Sequence, residues 1–167
     1  MIFIALGANL PALDGRSPLE TLQTAVRCLD QLPHLNVAAV SRWYQTTPVP
    51  ASAQPDYINA VAALAVDPAV SVDPATLLAQ LMAIEAALGR TRSEPNAARR
   101  IDLDIIAIDD VIRAAPDPIL PHPRAHLRRF VLGPLADIAP DWIHPLLGES
   151  AATLLSGLRP DGVAVLK

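Results

Sequence analysis

Lysine is nearly absent from this 167-residue chain: every basic residue except Lys167 is an arginine. That excludes a Walker-type phosphate loop, which needs an internal lysine behind its glycines. It also means that any bound anion is gripped by guanidinium forks. Cysteine is as scarce. Cys28 alone cannot form an internal disulfide, and no Cys/His grouping has the spacing of a structural zinc site. No apolar run reaches the roughly 18–20 residues of a membrane span. The opening MIFIALG lacks the basic flank of a signal peptide and reads as a first strand. These absences favour a reducing, cytoplasmic setting with no membrane partner. Low-complexity sequence is missing too, and 51% hydrophobic residues suffice for a core, so one domain over residues 1–167 is expected. A net charge of −4 disfavours wholesale binding of nucleic acid.

What is present alternates between two periods. Residues 2–6 read as a strand. Ser17-Pro18-Leu19-Glu20 is a capping box with proline at the first helical position, and Leu22, Val26, Leu29 and Leu32 continue at helical spacing toward Pro33. Residues 36–45 read as a second strand, TTPVPASAQPDY at 46–57 as loop, and 59–66 as a third strand. Asp73-Pro74 starts a second helix carrying Leu77, Leu81, Ile84 and Leu88, with Gly89 as its stop. A polar loop at 90–100 precedes another strand, followed by a short hairpin through Ile112. FVLGPL at 130–135 reads as a short strand entering a turn of helix, and a last helix follows Ser150. The order β, α, β, β, α, β predicts an α+β fold of the ferredoxin-like, split-βαβ kind, an antiparallel sheet with two helices on one face.

The informative stretch is RRIDLDIIAIDD at 99–110. Side chains alternate across a strand, so Asp102 and Asp104 share one face while Ile101, Leu103 and Ile105 take the other, which must be the core. Two carboxylates on one face repel unless something positive lies between them. Hard oxygen ligands suit Mg²⁺, which takes one or two carboxylates and completes its shell with water and phosphate. Arg90, Arg92, Arg99 and Arg100 bracket the adjoining loop, and Arg124, Arg128 and Arg129 gather in another. Bidentate arginine contacts are what a polyphosphate on such a metal requires. From spacing alone, a solvated charged face remains open beside a nucleotide site.

Taken together, LGANL, YQTTPVPASAQPDYINA, the GR…R…RRIDLDI run and LPHPRAHLRRFVLGPLADIAP resemble the 6-hydroxymethyl-7,8-dihydropterin pyrophosphokinase family, in order over residues 4 to about 142. The resemblance implies transfer of the terminal pyrophosphate of ATP to the pterin hydroxymethyl group, with release of AMP, as a step of folate biosynthesis. It implies two Mg²⁺ ions held by Asp102 and Asp104, with Arg90 and Arg99 as catalytic phosphate contacts and Arg92 as a helper. His122 and Arg128 would contact the triphosphate, and Glu85 and Ile105 would line the ATP pocket. Thr46, Thr47, Pro48 and Val49, with Tyr57, Asn59 and Phe130, would hold the pterin. Asn59 would hydrogen-bond the ring and Phe130 would stack on it.

The chain departs from the family pattern in places. Asn96-Ala97-Ala98 stands where a Trp-Gly-Pro is common, Pro50 replaces a glycine of the pterin loop, and Met82 replaces a glutamine near the adenine. The family precedent suggests a monomer, and no fused synthase domain is expected. The alternative is a ferredoxin-like ligand- or nucleotide-binding module without this activity. An RNA-binding version is disfavoured because its sheet would carry aromatic runs, and this chain has only two Phe, two Tyr and two Trp.

Overall fold

The computed structural model describes residues 1–48, 51–90, 97–159 and 162–166. Six strands form one antiparallel sheet: β1 (Ile2–Ala8), β2 (Leu35–Val40), β3 (Tyr44–Thr46), β4 (Tyr57–Val66), β5 (Asp102–Ile108) and β6 (Val163–Val165). The spatial order is β5-β1-β4-β3-β6, and β2 pairs with β4 beyond β3. The segment expected as one strand over 36–45 is therefore two strands lying along the same side of β4. The interruption falls at Ser41, whose hydroxyl accepts the Val61 backbone N–H at 3.0 Å.

Helices α1 (Pro18–Leu29) and α2 (Pro74–Ala87) cover one face. Both start as their sequences dictate. Ser17 accepts from the Glu20 backbone N–H, and Glu20 Oε2 accepts the Ser17 backbone N–H at 2.8 Å. Asp73 accepts from Thr76 N–H. Gly89, at φ +85°, supplies the left-handed residue that ends α2. Beneath these helices lies a core of Ile2, Ile4, Leu6, Leu22, Leu64, Leu77, Leu81, Leu103 and their neighbours.

The other face is not bare. A 3-10 turn at Ala125–Leu127, α3 (Arg129–Ile138) and α4 (Ala151–Gly157) pack on it. Phe3, Val61, Ala63, Ile106, Val131, Leu132 and Leu135 form a second core there. This corrects the expectation of a strand at 130–135. The Gly-Pro pair and β-branched valine speak against a helix locally, and Pro134 lies inside one. Burying Val131, Leu132 and Leu135 is worth about 1.5–3 kcal/mol each, which outweighs the ~3 kcal/mol cost of an internal proline. The expected hairpin after β5 is reduced to one antiparallel bridge between Arg113 and Leu120. Helices over one end of this second face leave the other end for the site, where β5 carries Asp102 and Asp104, β4 carries Asn59, and Gly7 of β1 lies between them.

Candidate active site

β5 is the end strand of the sheet, and its alternation holds. Ile101, Leu103 and Ile105 are buried in the first core, and Asp102 and Asp104 project from the opposite face, half-buried. Asp102 is clasped on both oxygens. Arg90 Nη1 donates to Oδ1 at 2.6 Å and Arg99 Nη1 to Oδ2 at 2.5 Å. Arg90 Nη1 also donates to Glu85. Glu85, only 6% exposed, accepts the Leu103 backbone N–H at 2.7 Å and so caps the open edge of β5. Burial pushes the Glu85 carboxyl up, against the pull of that backbone bond and of Arg90. For Arg90, burial works against the charge, but Asp102 and Glu85 together hold the guanidinium above its ordinary value.

Asp104 is less well compensated. Its burial, and next the charge of Asp102, push its carboxyl up, while His122, Arg128 and Arg90 pull the other way. A carboxylate left under-compensated beside a second one is a seat for a cation. Among the described residues no group of three or more His, Cys, Asp or Glu side chains is arranged to hold a metal. The two aspartates are hard oxygen donors of the chemistry that suits Mg²⁺, which takes one or two carboxylates and completes its shell with water and phosphate.

His122 and Arg128 face the same carboxylates from the segment ahead of α3. The His122 backbone N–H donates to Ile106 at 2.8 Å, which fixes the residue against β5. Its Nδ1 accepts the Arg124 backbone N–H at 3.1 Å, so the neutral ring carries its proton on Nε2. Burial, above all, keeps this histidine below its usual value. Arg128 is lowered first by burial and next by Arg124, with Asp104 and Asp102 opposing. Its guanidinium lies 5.5 Å above the Phe130 ring.

The residues expected on the pterin side gather on β4 and β3, across β1 from β5. Asn59 on β4 is 7% exposed and donates Nδ2–H to Thr46 Oγ1 on β3 at 2.7 Å. Tyr57 donates its hydroxyl to Gln54 Oε1 at 3.3 Å and to the Ala97 carbonyl at 3.4 Å. Thr47 is exposed and Pro48 buried at the start of the loop. Ile105 lies in the core, so its side chain does not share the aspartate face. Val49 and Arg92 lie outside the described residues.

The matches to known proteins follow this geometry. The model of the 7,8-dihydro-6-hydroxymethylpterin-pyrophosphokinase family matches residues 3–140. The chain belongs to this family. A 2-amino-4-hydroxy-6-hydroxymethyldihydropteridine pyrophosphokinase of Synechocystis sp. is 38% identical over 153 residues, 91% of this chain and 73% of that protein. One from Pseudomonas aeruginosa is 38% identical over 140 residues, 84% of this chain and 81% of that protein. The crystal structure of wild-type Plasmodium falciparum HPPK-DHPS with SDX-DHP superposes with a TM-score of 0.69 at 13% identity. That likeness covers 93% of this chain and 43% of the longer one, and it bears on the fold alone.

Two contributors to this pyrophosphokinase site escape a reading by motif role. Asn9, 2% exposed, accepts the Arg99 backbone N–H on Oδ1 at 2.8 Å and donates its own backbone N–H to the Arg99 carbonyl. Its Nδ2 reaches Gln54 and the Pro55 carbonyl at 3.3 and 3.1 Å. One amide thus ties the base of the arginine loop to the loop of the pterin side. Gly7 is the second. It pairs with Asn59 across one ladder and with Asp102 across the other. Both residues stand in the LGANL stretch, and that is the only signal the sequence holds for them.

Proposed function

We propose that Arg90, Arg99, Asp102 and Asp104 form the transfer centre of this pyrophosphokinase, with Asn59, Thr46 and Tyr57 at its pterin end. As a member of its family the chain transfers pyrophosphate from ATP to 6-hydroxymethyl-7,8-dihydropterin in folate biosynthesis. The observation that carries the assignment of roles is the pair of same-face carboxylates on β5 under two guanidiniums.

Two Mg²⁺ ions brought with ATP would be held by Asp102 and Asp104 and would neutralise phosphate charge where the attacking and leaving oxygens change partners. The protein's own side chains do the rest. Arg90 and Arg99, which satisfy Asp102 here, would turn to the phosphate oxygens when ATP is bound. They exchange a carboxylate for the phosphate charge that grows during transfer. The Nε2–H of His122 and the guanidinium of Arg128, which face Asp104, would add further donors to the phosphates. Asn59, preset by Thr46, presents its amide to the pterin, and Phe130 supplies a ring face. The hydroxymethyl oxygen attacks the β-phosphorus in line, the bond from that phosphorus to the α-phosphate oxygen breaks so that AMP leaves, and the hydroxyl proton passes to solvent. Holding both substrates in that line is the larger part of the catalysis. Asn9 joins the backbone at Arg99 to that at Pro55 and so helps hold the two ends of the site in register.

The reading extends to a cytoplasmic monomer acting on two small molecules, without nucleic acid or membrane as partner. The net charge of −4 disfavours nucleic acid, and among the described residues no helix is long and apolar enough to cross a membrane. Light scattering at assay concentration tests the monomer.

The deciding experiment incubates the protein with ATP, Mg²⁺ and 6-hydroxymethyl-7,8-dihydropterin and separates the nucleotides. AMP is expected only when metal and pterin are both present. ADP instead would place the attack at the γ-phosphorus and overturn the geometry above. Turnover that persists in EDTA would overturn the metal assignment.

A further inference from the structure

β3 is three residues long, yet it carries Thr46 and opens directly into the loop of the pterin side. One flank of β3 pairs with β4, Tyr44 opposite Asn59 and Thr46 opposite Tyr57. The other flank would be a bare edge but for β6, which no feature of the sequence announces. Tyr44 stands opposite Val165, Gln45 opposite Ala164 and Thr46 opposite Val163. The ladder is extended at both ends by backbone bonds. Leu166 N–H donates to the Trp43 carbonyl at 2.9 Å and Thr47 N–H to the Gly162 carbonyl at 3.1 Å.

The contact at Gly162 is specific. A Cβ there would stand 2.4 Å from Thr47 Oγ1, and φ at Gly162 is +51°. Two features favour glycine: the left-handed backbone, and a threonine hydroxyl that would have to rotate aside to admit a side chain. Thr47 is the first residue past β3, and its neighbour Thr46 accepts the amide of Asn59. Whatever fixes Thr47 fixes the hinge between the Asn59–Thr46 pair and the loop beyond.

We propose that the C-terminal strand is a positioning element for the pterin: Gly162 and β6 hold Thr47, and through it Thr46 and Asn59, in the geometry that receives the substrate ring. Gly162 is a positioning residue, since it acts through Thr47. This inference rests on the reading of Thr46, Thr47 and Asn59 as the pterin side. A three-residue strand held on one flank only would fray, and the loop it carries would sample positions in which the Asn59 amide is not preset. Binding of the pterin would then include the cost of ordering it. The ATP side is built on β5, α2 and the segment around His122, whereas β6 pairs with β3 at the far end of the sheet.

The test compares the unaltered protein, Gly162→Ala and a chain ending at Leu158, with Ala164→Ser on the exposed side of β6 as control. AMP release gives kcat and KM for each substrate. Fluorescence titration with the oxidised, unreactive 6-hydroxymethylpterin, in the presence of a non-hydrolysable ATP analogue, gives pterin affinity directly. Backbone strain of the size expected for alanine at this position corresponds to about 5- to 150-fold in an equilibrium. Pterin KM and Kd should rise by about tenfold in Gly162→Ala and by at least as much in the shortened chain. ATP KM should stay within about twofold, and Ala164→Ser should match the unaltered protein. Unchanged pterin KM and Kd in both variants would overturn the brace while leaving the substrate reading intact. Equal losses for ATP and pterin would overturn it too, since the strand would then serve general stability. An unaltered protein that neither turns over nor binds the pterin would overturn the substrate reading, and the brace with it.

Discussion

Gly7→Ala is the smallest change that separates the two ends of the site. A Cβ on residue 7 would stand 3.1 Å from Asn59 Oδ1 and 4.0 Å from Asp102 Cβ. The second distance is ordinary contact and the first is not, so the strain falls on Asn59 alone. The Asn59 side chain is buried and held by one 2.7 Å bond to Thr46, so yielding to the new methyl lengthens or breaks that bond. A buried polar group deprived of its partner costs about 1–3 kcal/mol. Converted at ~1.4 kcal/mol per decade, that is about 5- to 150-fold. We expect kcat/KM for the pterin to fall about tenfold or more, with ATP KM within about twofold of the unaltered protein. The lost bond should also lower Tm, by about 2–4 °C for each kcal/mol in a chain of this size. The assay is AMP release at saturating ATP with pterin varied, beside a thermal melt. Pterin kcat/KM and Tm both unchanged would show that β1 and β4 absorb a methyl group without moving Asn59, and the reasoning would fail. A loss confined to ATP would show that Asp102 had moved instead.

Asp102→Ala and Asp104→Ala should each abolish Mg²⁺-dependent AMP release; near-normal turnover in either would sink the two-carboxylate assignment. Arg99→Ala removes one of the two guanidiniums on Asp102 and should lower kcat by about 10²–10³-fold, the usual loss for a donor aimed at transition-state charge, while ATP Kd changes far less. Equal losses in kcat and ATP affinity would reduce Arg99 to ground-state binding. His144 is 3% exposed against His126 and Trp142, and burial, with His126 next, depresses its pKa. The unfolded chain then binds the extra proton more readily than the folded one, so stability falls as pH drops below the unfolded value of about 6.5, by at most ~1.4 kcal/mol per pH unit for this group. Tm measured between pH 7.5 and 5 should fall, and His144→Gln should flatten the slope; an unchanged slope would assign the acid sensitivity elsewhere.

The parts legible in the sequence are those in which one local rule decides. The capping box at Ser17 and the Asp73 cap start helices because their partners sit three residues away. The alternation of Ile101 through Ile105 fixes the faces of β5 because strand geometry allows nothing else. The misreading of residues 130–135 has the opposite character. Gly133-Pro134 and Val131 argue locally against a helix, and only the second core, drawn from β1, β4 and β5, overrides them. β6 could not be anticipated for a related reason. VAV at 163–165 is too short to carry a period, and its strand character comes from pairing with a segment well over a hundred residues earlier.

The same division runs through the site. Asp102 and Asp104 announce themselves because a carboxylate pair inside an aliphatic strand conflicts with the strand's own pattern, and such conflicts concentrate at functional sites. Asn9 conflicts with nothing. It reads as a polar residue leaving a strand, and its importance arises only when the fold brings the Arg99 backbone and the Pro55 carbonyl to either side of one amide. Most of the charged half of the site is thus encoded within about twenty residues, from Glu85 to Asp104, with His122 and Arg128 added from the segment ahead of α3, whereas the coupling between its halves depends on contacts made across the whole sheet. Changes on β5 or in the arginine loop should therefore alter the chemistry with the pterin end intact. Changes at Gly7, Asn9 or Gly162, none of which carries a charge to give to phosphate, should alter how well the two substrates are brought into line.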